Sequence, residues 1–169
     1  IPGHHLQNAL NLENEDLSLY RRFGYYTSAF GEGWALYAER LSLEIGLANN
    51  PYDELGVLQS ELFRAVRLVV DTGIHFKRWT RGEAMDYMKK ITGMSDTEVT
   101  VEIERYIVWP GQACSYKVGM LKILELREKA KQELGESFDI RDFHSVVLDH
   151  GEPPLFIVEE LVNEMTSNR

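Results

Sequence analysis

Apolar residues recur at steps of three and four along almost the whole sequence, and this spacing is typical of α-helices that bury one face. The pattern is clear over residues 27–47 and again over residues 52–76. In the second stretch one stripe consists of Leu55, Leu58, Leu62, Ala65, Val69 and Gly73. The sequence therefore predicts an all-α protein, a mainly helical bundle that forms one domain over residues 1–169, since no linker or repeat divides it.

Capping residues mark where several of these helices are expected to begin. Thr80 with Glu83, and Ser95 with Glu98, show the Ser/Thr-x-x-Glu spacing of a capping box. Asn50 can cap the helix that follows it, because the next residue is a proline, which suits a first helical turn. The segment 98–108, "EVTVEIERYIV", is the ambiguous one, since its β-branched alternation also fits a strand. A strand stays as the alternative there.

The acidic composition narrows the classes of partner. The net charge is −9, from 27 acidic and 18 basic residues among 169. Such a balance disfavours nucleic acid and anionic membranes as general partners, because their phosphates would be repelled. The longest apolar runs are far short of the roughly 18 residues that a membrane span needs. The one cysteine, Cys114, cannot form an internal disulfide.

Two adjacent histidines, His4 and His5, follow a Pro-Gly step at the front of the chain. Histidine is the commonest protein ligand for metals, and pairs on one helix often bind zinc. Neighbouring residues on a helix point about 100° apart, so one of the two is expected to face a given site. A solvated helix start is the alternative for this dipeptide.

Glu32 stands between Gly31 and Gly33 in "FGEGWALYAE". Glycine inside a helix costs about 1 kcal/mol relative to alanine, so this pair indicates that another backbone or a ligand comes close. Glu39 lies seven residues further on, on nearly the same side of the helix. Carboxylates on an otherwise apolar stripe require a metal, a base or water beside them. The alternative is a solvated edge, with Glu39 paired to a surface arginine or lysine.

Four further residues have two interpretations each. His75 can bind in a site or simply stabilise the carboxyl end of its helix. Tyr116 can stabilise an oxyanion from the start of its helix, or pack in the core. Arg127 can clamp a carboxylate or lie on the surface. His144, in "DFHSVV", is equally open.

Several stretches together resemble one family. They are "PGHHLQ", "GEGWALYAERL", "RAVRLVVDTGIH", "RYIVWPGQACSYKVGMLKI" and "DFHSVVLDHGEPPL", which occur in this order from Pro2 to about Leu155. They resemble the C-terminal part of the bacterial domain-of-unknown-function family numbered 885. That family is similar to helical zinc metallopeptidases of the HExxH type, and distantly to angiotensin-converting enzyme, thimet oligopeptidase and the Taq-type carboxypeptidase. The resemblance implies a gluzincin-like fold.

The resemblance also implies a set of site residues. Family members usually carry His-Glu-x-x-Pro-Gly-His-His, so Ile1 occupies the second x, and a zinc-binding histidine and the glutamate base are expected before it. One of His4 or His5 would be the second zinc ligand and Glu32 the third. Glu39 would orient a ligand histidine, and Tyr116 would donate to the oxyanion. His75 or His144 would be a supporting histidine of the site. Arg127 would anchor a carboxylate of the peptide.

The function that the resemblance implies is zinc-dependent hydrolysis of peptide bonds in a longer bacterial protein, which would be secreted or lipid-anchored. The 169 residues alone are expected to show little activity, since a catalytic zinc needs three protein ligands. They are also expected to expose an apolar cleft wall, through which dimers could form. The alternative function is a non-catalytic helical binding or scaffold module with a degenerate metal site.

Overall fold

The described residues of this computed structural model, 3–47 and 50–168, fold into α-helices joined by short loops. The helices are α1 (His4–Glu13), α2 (Leu19–Phe23), α3 (Ser28–Glu44), α4 (Pro51–His75), α5 (Arg81–Thr92), α6 (Asp96–Val108), α7 (Gln112–Leu134), α8 (Ile140–Leu148) and α9 (Leu155–Ser167). No strand occurs within these two ranges, so the all-α prediction is confirmed. No helix in them combines the length and the apolar character that a membrane crossing requires.

Both predicted capping boxes are present. The Thr80 hydroxyl accepts a hydrogen bond from the Glu83 backbone N–H at 3.2 Å, and the Glu83 carboxylate accepts one from the Thr80 N–H at 2.7 Å. Ser95 makes the same reciprocal pair at the start of α6. The ambiguous segment 98–108 is therefore helical, and the strand alternative is wrong. Its buried residues explain why, because Val99, Ile103 and Tyr106 fall on one helical face.

The buried apolar residues form two clusters. The first joins α3 and α7 to α8 and α9, and its largest members are Phe30, Trp34, Tyr37, Met120, Ile123 and Phe143. The second joins α4 to α5 and α6, around Val66, Val70, Met88, Ile103 and Tyr106. Helix α7 contributes to both, since Ala113 near its start packs in the second cluster. It therefore holds the two halves of the helical assembly together.

Helices α3 and α7 approach each other at two glycines. A Cβ added to Gly33 would lie 2.5 Å from the Gly119 Cα, and one added to Gly119 would overlap the Ala29 carbonyl oxygen. Further along both helices Glu44 pairs with Arg127, so the two helices run in parallel. The close approach predicted for the Gly31–Gly33 segment is thus confirmed: at Gly33 it is made by another backbone. As a result the amino-terminal ends of α3 and α7 lie side by side.

The apolar stripe of α4 faces outward over much of its length. Leu55 is 60% exposed, Leu58 50% and Leu62 44%, whereas Val66 and Val70 on the adjacent face are buried. The period of the helix was therefore evident in the sequence, but the amino-terminal part of the stripe, from Leu55 to Leu62, does not pack into the core. This surface is of the apolar kind expected for a cleft wall, and dimerisation through such a wall stays a prediction.

Candidate metal centre

The two residues on which the metal hypothesis depends meet in space. His4 is the first residue of α1, and Glu32 lies in the second turn of α3. The His4 Nε2 atom is 3.3 Å from the Glu32 Oε2 atom. The imidazole is half exposed, while the carboxylate is mostly covered. An open imidazole beside a sheltered carboxylate leaves one side of the pair accessible to a ligand.

A buried hydrogen-bond chain fixes the His4 ring from behind. The Gln7 Nε2 atom donates to Glu152 Oε1 at 3.0 Å, and Gln7 Oε1 lies 3.2 Å from His4 Nδ1. An ionised carboxylate only accepts, so Glu152 turns the amide group of Gln7 toward itself and the amide oxygen toward His4. His4 Nδ1 must then carry the proton, and this assignment follows from the network of donors and acceptors. In the neutral imidazole the lone pair is then on Nε2, which is the atom that faces Glu32.

Glu152 is anchored in the loop between α8 and α9. Its side chain is buried, its Oε2 accepts from the Thr27 N–H at 3.4 Å, and its carbonyl accepts from the Thr27 hydroxyl at 2.8 Å. Burial raises the pKa of this carboxyl, which the Thr27 hydrogen bond opposes. Gly31 leaves the space for this arrangement, because a Cβ there would lie 3.2 Å from the Tyr26 ring and 3.4 Å from Glu152 Oε2.

The chemistry of the His4–Glu32 pair suits a cation. Two lone-pair atoms that face each other at 3.3 Å repel unless a proton or a metal ion lies between them. Imidazole nitrogen and carboxylate oxygen are both zinc ligands. Within residues 3–47 and 50–168 no group of three His, Cys, Asp or Glu side chains could hold a metal. The pair therefore fits zinc as two ligands of a larger set, not as a complete site.

The neighbouring candidates, His5 and Glu39, are placed differently. His5 is exposed and makes no hydrogen bond or ion pair with any described residue. Glu39 accepts a 2.8 Å hydrogen bond from the Ser60 hydroxyl, so its partner is neither arginine nor lysine. Glu39 and His4 nevertheless line one groove of about 350 Å³. The prediction that Glu39 orients a ligand histidine stays a prediction. Ile1 and Pro2 of the proposed motif lie outside the described residues.

Tyr116 and His75 are held by contacts on the α4 side. The Tyr116 ring faces the guanidinium groups of Arg64 and Arg67, whose central carbons lie 5.0 and 4.3 Å from the ring centroid. Its hydroxyl makes no hydrogen bond with a described residue. His75 Nε2 donates to the Tyr106 carbonyl at 2.9 Å and so ties α4 to α6. That contact serves the fold, and the structure does not bring His75 to the His4–Glu32 pair.

Arg127 is engaged by a carboxylate of the chain itself. Its two terminal nitrogens donate to Glu44 at 3.0 and 2.6 Å. These hydrogen bonds lower the pKa of the Glu44 carboxyl. Glu44 lies twelve residues beyond Glu32, about 18 Å along α3. The structure therefore places Arg127 at the far end of α3, and its predicted role as an anchor for a peptide carboxylate has no direct support there.

His144 lies among aromatic side chains of the first core cluster. Its Nε2 is 2.7 Å from the Tyr37 hydroxyl, and its ring meets Trp34 edge to face. Burial lowers the pKa of His144 to about 4, and the positive charge of Arg127 acts in the same direction. The imidazole is therefore neutral at physiological pH. The structure brings it to Tyr37 and not to His4 or Glu32.

The buried His144 should make the stability of the protein depend on pH. Because its pKa is lowered in the folded state, the unfolded chain takes up the proton first as pH falls below the ordinary value of about 6.5. We expect a loss of unfolding free energy on the order of 2 kcal/mol between pH 6.5 and pH 4 from this group. Urea unfolding at several pH values should show a smaller loss for His144→Gln than for the wild type. The exposed His5→Gln is the control, and an equal effect of both variants would contradict the assignment.

The residues that support the pair were not predicted from the sequence. Gln7 follows His4 by three positions, which on a helix places both on one side, and this spacing was the available signal. Tyr26, whose hydroxyl lies 3.4 Å from Glu32 Oε1, precedes α3 in a loop. Glu152 comes from a loop after α8, more than a hundred residues from Glu32. No local pattern links it to the site, because only the packing of the loop against α1 and α3 brings it there.

Similar proteins agree with the family that the motifs indicated. A family described as "Bacterial protein of unknown function (DUF885)" matches residues 1–162. A crystal structure of a protein named "putative lipoprotein" from Colwellia psychrerythraea is 54% identical, with a TM-score of 0.95 over 99% of this chain. A "putative lipoprotein of unknown function" from Shewanella oneidensis is 31% identical, with a TM-score of 0.88 over 96% of this chain.

The matches cover only part of those proteins. The chain corresponds to 29% of the length of the Colwellia protein and to 30% of the Shewanella protein. No curated protein matches the sequence. The family match nevertheless extends over nearly all of the 169 residues, and the solved structures share the fold. The chain therefore belongs to the DUF885 family of bacterial proteins of unknown function.

Proposed function

We propose that this chain is part of a zinc-dependent peptidase and supplies two of its zinc ligands, His4 and Glu32. The observation that carries the proposal is the 3.3 Å approach of His4 Nε2 to Glu32 Oε2, with Nδ1 already occupied by Gln7. A nitrogen lone pair held against a carboxylate is a stable arrangement when a cation joins them. The resemblance to HExxH-type metallopeptidases names zinc as that cation and implies a gluzincin-like fold.

Five residues of the chain have a defined role in this proposal. His4 and Glu32 hold the metal, while Gln7 and Glu152 keep the His4 ring in the tautomer whose Nε2 is free to bind. Tyr26 steadies Glu32 through its hydroxyl. A zinc ion, when bound, would polarise the substrate carbonyl and activate water. The remaining ligand and the general base are expected from the His-Glu that precedes the Pro-Gly-His-His segment in the family.

Tyr116 stays the proposed donor to the oxyanion. Three observations support that assignment. Its hydroxyl is free of hydrogen bonds to described residues, and its ring lies against two guanidinium groups. It also lies one turn before Gly119, which contacts α3 at Ala29 and Gly33, on either side of Glu32. A phenol in this position can donate to an oxygen that becomes negative during hydrolysis.

The test is metal analysis and peptide cleavage with the full-length protein, meaning all residues that its gene encodes. We expect about one zinc per chain and cleavage of short peptides that a chelator abolishes and added zinc restores. Metal-free protein that cleaves peptides equally well would overturn the proposal. Protein that binds zinc but cleaves no member of a broad peptide set would leave only the metal site.

A non-catalytic binding module is the second candidate. It is favoured by one observation, that the described residues bring together two metal ligands and not three. In that case the grooves beside His4 would hold a peptide or a partner without cutting it. Full-length protein that contains no zinc after purification and takes none up on addition would favour this module over the peptidase.

We also propose that the protein is lipid-anchored or secreted. The support is the name "putative lipoprotein" carried by the Colwellia and Shewanella proteins, to which this chain is similar over nearly its whole length. A peptidase in that location would meet peptides outside the cytoplasm.

A further inference from the structure

A groove of about 540 Å³ lies between the amino-terminal ends of α3 and α7. We call it the α3–α7 groove, and its lining residues are Tyr26, Ser28, Val108, Trp109, Pro110 and Gln112. Tyr26 also donates to Glu32 Oε1, so the groove adjoins the candidate metal centre. Neither the motifs nor the proposed zinc chemistry assigns a role to this groove.

Two helix starts face the groove. Ser28 and Gln112 are the first residues of α3 and α7, and the capping residues Thr27 and Gly111 make no side-chain hydrogen bond to the first turn. The first N–H groups of a helix lack intrahelical partners and carry the positive end of its dipole. Because the helices are parallel, both positive ends meet at the same place. The N–H groups of the two capping residues already donate to the Glu152 and Asp71 carboxylates, so only the N–H groups of the first turns remain for an anion in the groove. Helix ends alone do not define a site.

A buried arginine behind the groove provides the second, independent observation. Arg67 of α4 is 1% exposed, and it has no ion pair with a described carboxylate. Its Nε has no hydrogen-bond partner, and its Nη2 makes a single long bond of 3.4 Å to Gln112 Oε1. Its other neighbours are the rings of Phe63, Tyr106 and Tyr116. Cation–π contacts compensate only part of the cost of burying a charge, so a nearby anion would stabilise this group.

The carboxylates around Arg67 are already engaged elsewhere. Glu102 binds Arg105 at 2.7 Å and accepts from the Tyr106 hydroxyl at 2.6 Å. Asp71 accepts from the Gly111 N–H with both of its oxygens at 3.1 Å. Arg64, on the same helix as Arg67, also has an unpartnered buried Nε. The three arginines Arg64, Arg67 and Arg105 therefore have two carboxylates near them, Glu102 and Asp71. The group as a whole carries a net positive charge.

Gln112 lies between Arg67 and the groove and contacts both. A guanidinium group can only donate, so the side chain of Gln112 must turn its oxygen toward Arg67. Its amide NH₂ is then directed away from the arginine and has no hydrogen bond to a described residue. A donor polarised by a cation behind it binds an anionic acceptor more strongly than an isolated amide does. Gln112 lines the groove, so this donor is available to a ligand there.

We propose that the α3–α7 groove binds a carboxylate of the peptide substrate, with Gln112 as the direct donor and Arg67 as the charge behind it. The assignment of the ligand as a peptide rests on the proposed function, whereas the preference for a carboxylate rests on the groove alone. The carboxylate can be the C-terminus of the peptide or an acidic side chain, because both present the same group. The apolar ring of Trp109, which is 60% exposed, would cover the neighbouring part of the ligand.

The test measures binding, not turnover, in the full-length protein labelled with fluorotryptophan, using the fluorine resonance of Trp109 as the signal. The probes are N-acetylalanine, its amide, and the α-amide of N-acetylglutamate. We expect at least one of the two acids to bind about tenfold more tightly than N-acetylalanine amide. Binding of N-acetylalanine indicates a C-terminal carboxylate, and binding of the glutamate α-amide indicates an acidic side chain. Equal affinity of all three probes, or no binding of any, would overturn the proposal.

Substitutions of Gln112 test whether the preference for acids over amides arises in the α3–α7 groove. Gln112→Glu places a negative charge between Arg67 and the ligand, and it should reduce the preference for acid over amide to less than about threefold. Gln112→Leu removes the donor without adding charge and should act in the same direction if the first variant fails to fold. Gln132→Glu is the matched control, since this exposed glutamine lies on the same helix about 30 Å away, and it should keep the full preference. A preference that survives both Gln112 variants contradicts the proposal.

A last variant separates this proposal from the proposed function. Glu32→Gln should impair zinc binding and leave the acid preference intact. If Glu32→Gln removes the preference while Gln112→Glu does not, the carboxylate binds at the candidate metal centre and the α3–α7 groove is not its site. If zinc and hydrolysis are absent but the preference depends on Gln112, the carboxylate site stands and the peptidase proposal fails.

Discussion

Replacing Gly119 by alanine is expected to destabilise the fold by about 2–4 kcal/mol. The added methyl group would overlap the Ala29 carbonyl oxygen and lie 2.7 Å from the Gly33 Cα. These are backbone atoms, so they can yield only if α3 and α7 move apart, and the first core cluster is built between these two helices. The intrinsic helix preference of alanine over glycine returns about 1 kcal/mol, which is too little to offset the lost packing.

Gly56→Ala is the matched control for this prediction. Gly56 also lies inside a long helix, α4, but a Cβ there meets no atom within 4 Å. That substitution should therefore stabilise the protein by up to about 1 kcal/mol. Urea unfolding of the 169-residue chain, followed by circular dichroism, measures both variants. Changes of the same sign in the two variants would show that the α3–α7 approach does not limit the size of residue 119.

Replacing Glu32 by glutamine is expected to weaken zinc binding by more than about 100-fold in the full-length protein. The amide keeps an oxygen that can accept from Tyr26, so the local fold should persist, but the negative charge that faces His4 Nε2 is lost. A ligand residue should matter more than residues that only orient a ligand, whose loss typically costs 10–100-fold. Competition against a chelator of known affinity gives the Kd directly.

Glu160→Gln is the control, because Glu160 is exposed on α9 and makes no hydrogen bond or ion pair with a described residue. It should leave the zinc Kd unchanged. Glu39→Gln in the same assay examines the predicted orienting role, for which a loss of about 10–100-fold is the supporting result. A Glu32→Gln protein that holds zinc as tightly as the wild type would remove Glu32 from the ligand set.

Helix positions were predictable because their causes are local. The Thr80–Glu83 and Ser95–Glu98 boxes act within one turn, and both appear at the expected places. Asn50 likewise caps α4 by accepting from the backbone of Tyr52 and Asp53. The helical period does not indicate whether an apolar stripe faces the core or the solvent. The stripe of α4 is regular, yet much of it points outward.

The candidate site was predictable only in part. His4 and Glu32 were found from residue type, from the flanking glycines and from the resemblance to a family, and the structure brings them together. The sequence left His4 and His5 equivalent, since the choice depends on how α1 is rotated against α3. Glu152 had no local signal, because its role depends on a loop that reaches the site from the other end of the chain.

The sequence by itself determined the helices and their ends, since capping hydrogen bonds and apolar periodicity act over three or four residues. It also determined which residue types were available for metal chemistry. The tertiary structure alone decided which of these meet. It sets Glu44 against Arg127, Tyr37 against His144, and Gln7 with Glu152 behind His4. The physical reason is that such contacts depend on how distant helices are rotated and spaced, as α3 and α7 are where Gly33 packs on Gly119.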